Sequence, residues 1–107
     1  MTTPYSTVDR AGLIYLTVMN TTPALHDPTR SGQTDPLDLK LRLLWLTDEL
    51  EWLMSLGPSI IGGFSPPPDA QDRIDRLRTS IRASRIDVPL TDEELEQAKA
   101  CLAILQP

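Results

Sequence analysis

Residues 36 to 56, PLDLKLRLLWLTDELEWLMSL, constrain the fold more than any other stretch of this chain. They hold nine leucines, both tryptophans and one methionine. Leu39, Leu43, Leu46, Leu50 and Leu53 recur at steps of four, three, four and three, the spacing of a helix seam. Asp35 can serve as the N-cap, and Pro36 suits the first helical position, where its missing N–H costs nothing. Gly57-Pro58 is a stop signal. The stretch therefore reads as one helix of more than five turns.

At about 100° per residue its apolar positions form two faces. Leu39, Leu43, Leu46, Leu50, Leu53 and Met54 make the larger face; Leu41, Trp45, Trp52 and Leu56 make the second. Between them run a narrow polar seam of Asp38, Arg42 and Glu49 and a wider one of Lys40, Thr47, Asp48, Glu51 and Ser55. A helix in a two-layer protein needs one apolar stripe. Two stripes require cover from two directions.

The rest of the chain supplies that cover unevenly. Residues 69–84 read as a helix with a narrow stripe of Ala70, Ile74, Leu77 and Ile81, which suits packing on one neighbour, and with Asp69–Arg73 and Asp72–Arg76 as i, i+4 pairs. Residues 91–106 read as another. Thr91 and Glu94 have the spacing of a capping box, Leu90 and Leu95 that of a hydrophobic staple, and Leu95, Ala98, Leu102 and Leu105 repeat at helical steps. These two helices can cover the leucine face. The tryptophan face is left to Ala11–Met19 and to the apolar loop around Ile60, Ile61 and Phe64.

Ala11–Met19 is ambiguous. Ile14, Tyr15, Thr17 and Val18 favour a strand. Ser6 and Asp9 at capping-box spacing, the shared helical face of Val8, Ala11, Tyr15, Val18 and Met19, and Asn20 with Pro23 as stop signals favour a helix over 7–19. A lone strand would have to pair across a dimer interface, so helix is preferred. The same run after Arg10 could be a signal peptide, but Asp9 removes the expected positive charge. No run reaches the ~20 apolar residues of a membrane span.

The predicted fold is all-α: residues 1–107 form a single helical domain, a small irregular helical bundle of three to four helices around one long central helix, dimeric through part of the leucine or tryptophan face. Fifteen acids against ten bases give a net charge of −5, which disfavours general nucleic-acid binding. One cysteine, Cys101, cannot form an internal disulfide, and a reducing cytoplasm is the expected compartment.

Chemistry-bearing patterns are weak. His26-Asp27 sits in a stretch bracketed by Pro23 and Pro28, with no positioned nucleophile. Cys101 lies near a helix C-terminus, where the dipole opposes a thiolate. Asp69, Asp72 and Asp75 lack the glycine and closing glutamate of a calcium loop, and the GPSIIGGF segment lacks the Lys-Ser/Thr of a phosphate loop. No catalytic, cofactor or metal residue is therefore assigned.

Two surfaces remain. Leu41, Trp45, Trp52 and Leu56 read as a protein-binding face, since tryptophan is enriched at binding hot spots. Arg78, Arg82 and Arg85 form a ridge that either contacts an acidic partner or offsets the helix end and pairs with Asp92 to Glu96. The leading expectation is a non-enzymatic protein–protein interaction module (adaptor, regulatory subunit or assembly factor). The alternative is a dimeric nucleic-acid-binding regulator using the Arg73–Arg85 ridge. A small enzyme or ligand-binding bundle, with a pocket between the long helix and the apolar loop, is a third.

Overall fold

The computed structural model describes residues 7–26, 35–56 and 66–105. Every regular element among them is helical: α1 (Thr7–His26), α2 (Pro36–Leu56), α3 (Ala70–Ala83), α4 (Asp92–Leu102) and a short 3-10 turn, Ala103–Leu105. None of these helices is long and apolar enough to cross a membrane.

The bounds of α2 follow from its end signals. Asp35 caps it, its carboxylate accepting from the Leu37 amide at 3.2 Å and its carbonyl from the Leu39 amide at 3.0 Å. Leu39, Leu43, Leu46, Leu50 and Leu53 are all buried in the core. On α3 the buried row is Ala70, Ile74, Leu77 and Ile81. On α4 it is Ala98, Cys101 and Leu102, with Leu95 partly buried against the core.

The capping box of α4 is complete. The Glu94 amide donates to Thr91 Oγ1 at 3.1 Å, and the Thr91 amide donates to Glu94 Oε1 at 2.9 Å.

The segment Ala11–Met19 is helix, and the helix is longer than its sequence signals indicate. It passes through Asn20 and Pro23 to His26. An interior proline costs a helix about 3 kcal/mol or more. Here burial of Ala24 and Leu25 beyond it opposes that cost. The buried row of α1 is Ala11, Ile14, Val18, Thr21 and Leu25, at steps of three, four, three and four. That row replaces the face expected from the sequence: Tyr15 is half-buried and Met19 is exposed. Thr21 is buried at low cost because its hydroxyl donates to the Thr17 carbonyl at 2.7 Å.

The long helix is one wall of a ring rather than a hub. α2 packs on α1 and α3, and α4 packs on α3 and α1. So α3 packs on two neighbours, not the one its narrow stripe suggested. Each helix then needs a buried sector wide enough for two flanks, which explains why polar side chains of α2 lie inside. Lys40 and Thr47, read from the sequence as part of the wider polar seam, are both fully buried.

Candidate functional site

The two apolar faces of α2 meet different fates. Leu37, Leu41 and Trp45, at i, i+4 and i+8, stay exposed; Leu41 keeps 49% of its surface and Trp45 36%. Fully burying a leucine is worth about 1.5–3 kcal/mol, so the uncovered half of Leu41 alone leaves about 1 kcal/mol unrealised. Isolated exposed apolar residues are ordinary; these three are neighbours on one helical face. The row stands on a helix whose opposite face is core, so the fold holds it rigidly.

Trp52 is not part of that open stripe. It is half-buried, with the Arg10 guanidinium 3.9 Å from its ring centroid. Arg10 is held there by a two-point pair with Glu49, Nε to Oε2 at 2.7 Å and Nη2 to Oε1 at 3.0 Å. The Glu49 hydrogen bond raises the Arg10 pKa further above its usual value, against a smaller opposing effect of burial. A planar cation on a ring face, anchored by a carboxylate, is a stable stack. Through it α1 covers Trp52 and leaves Trp45 open. The side chain of Leu56, the fourth expected contact, lies outside the described residues.

The arginine ridge does not form one surface. Arg78 turns onto α2, where Nη2 meets Glu51 Oε1 at 2.5 Å and Asp48 Oδ1 at 3.0 Å. The Arg78 hydrogen bond holds the Glu51 carboxyl below its usual range. Arg85 pairs with Asp87, Nη2 to Oδ2 at 2.9 Å. Arg82 is exposed and has no ion-pair partner among the described residues. The pairing expected with Asp92 to Glu96 gives way to α2 because Asp48 and Glu51 lie on the flank that α3 packs against. The two helical pairs do form, Arg73–Asp69 at 3.0 Å and Arg76–Asp72 at 2.9 Å.

The structure also brings together residues that the sequence did not connect. Lys40 Nζ donates to the Arg85 carbonyl at 2.6 Å and to Ser84 Oγ at 3.2 Å. Ser84 Oγ in turn donates to Glu94 Oε2 at 2.8 Å. Glu94 is buried, and burial alone would raise its pKa. The Thr91 amide, Ser84 and the Lys40 charge outweigh that and hold it below the usual carboxylate range.

A serine beside a lysine can form a nucleophile–base pair. Here the lysine has no exposure and donates to a backbone carbonyl. The cluster ties α2 to the end of α3 and the start of α4; its geometry is that of a clasp.

Burial pushes the Cys101 thiol up to about 12, with Arg78 and Arg73 opposing. His26 is exposed at the end of α1; Asp27 lies outside the described residues, as does the apolar loop that would wall a pocket beside α2. An open cleft of about 670 Å³ between α3 and α4 is lined by Asp69, Asp72, Arg73, Arg76, Glu93, Glu96, Gln97 and Ala100. Its two arginines are already paired with its aspartates. Among the described residues no group of three or more His, Cys, Asp or Glu is arranged to hold a metal ion. Comparison with known proteins finds no matching family model, no similar curated protein and no similar solved structure.

Proposed function

We propose that the chain is a non-enzymatic protein–protein interaction module, an adaptor, regulatory subunit or assembly factor, that binds its partner through the outer face of α2. One observation carries this reading: Leu37, Leu41 and Trp45 are exposed in helical register on an element whose other face is core. Such a row is the surface that an apolar groove or helix of a partner covers, with Trp45 as the anchor. The nucleic-acid alternative has less behind it, because Arg78 and Arg85 are spent within the chain and Arg82 alone offers little to a phosphate backbone. A single buried thiol suits a reducing compartment, and the cytoplasm is the location proposed.

The test is affinity capture from the native cell with wild type and a Leu41→Glu/Trp45→Glu variant, helicity checked by circular dichroism. Leu41 keeps 49% and Trp45 36% of its surface exposed, and circular dichroism shows whether the variant keeps its fold. The reading expects a specific co-purifying protein that the variant loses. Capture of the same proteins by both forms refutes it.

A further inference from the structure

We draw no further inference here: the strongest candidate, the exposed apolar ridge of Leu16 and Met19 on the outer face of α1, shares that face with exposed Asp9 and His26, and nothing in the structure shows what covers it.

Discussion

Replacing Lys40 with methionine tests whether the clasp between α2, α3 and α4 stabilises the fold. The side chain has no contact with water and donates two hydrogen bonds, at 2.6 Å to the Arg85 carbonyl and 3.2 Å to Ser84. Methionine keeps most of the volume and removes both donors. Hydrogen bonds to a charged group contribute about 1.5–3 kcal/mol each. Three effects reduce the total. Arg85 is exposed, so its carbonyl can regain a water. Ser84 still has Glu94 and the Ile81 carbonyl. Removing the ammonium also relieves its desolvation cost. The net loss is about 2–3 kcal/mol. At about 4–8 °C per kcal/mol for a domain near this size, Tm falls by roughly 10–20 °C. Urea unfolding followed by circular dichroism measures it, with the slope against denaturant unchanged. A double-mutant cycle with Glu94→Gln is expected to show coupling of about 0.5–1.5 kcal/mol through Ser84. A Lys40→Met variant within about 0.5 kcal/mol of wild type refutes the assignment of a stabilising clasp.

Acid sensitivity and thiol reactivity give two more tests. Glu51 and Glu94 are both held below their ordinary pKa in the folded chain, by Arg78 in the first case and, against burial, by Thr91, Ser84 and Lys40 in the second. A carboxyl depressed on folding stabilises fully above its unfolded pKa of about 4.3 and loses that contribution as pH falls through the folded value. Stability should therefore hold from neutral pH down to about 5 and drop below about 4.3, and Glu51→Gln/Glu94→Gln should flatten the drop; an unchanged acid limb in urea titrations contradicts the geometry. Cys101, buried and pushed up to about 12, should react with a disulfide reagent at pH 8 (a condition chosen about 4 units below that value) only through opened molecules, on the order of a thousandfold more slowly than in urea. Comparable rates in both place the thiol at the surface.

What the sequence reveals depends on whether the deciding groups are close along the chain. Asp35-Pro36 and Gly57-Pro58 bracket α2, and both bounds are as read. Thr91 and Glu94 are three residues apart, and their capping box is legible down to its hydrogen bonds. The end of α1 is not, because a local signal at Pro23 competes with burial of Ala24 and Leu25, which only tertiary packing decides. Lys40 looks like a solvated residue on a helical wheel, since Ser84 and the Arg85 carbonyl lie 44 and 45 positions away. Arg10 offers no hint that it will reach Glu49, 39 positions on, and stack on Trp52. On the candidate surface the sequence identifies the tryptophan face of α2, but not which tryptophan is covered, and the outer ridge of α1 emerges only once its buried row is known.

The ring of helices also sets a problem of timing. The α1–α2, α2–α3 and α3–α4 contacts join consecutive elements, and loops between them close at small entropic cost. The α1–α4 contact joins the first of these four helices to the last of them. Chains emerge from the ribosome N-terminus first, so α1 is synthesised long before its second wall exists. Until α4 arrives, the nascent chain carries a helix that is apolar on its inner face through Ile14 and Val18 and on its outer face through Leu16 and Met19, with only α2 to shield it. Translation of this protein therefore includes a period in which its most apolar helix is half-covered, and a slow passage through residues 57–91 lengthens that exposure.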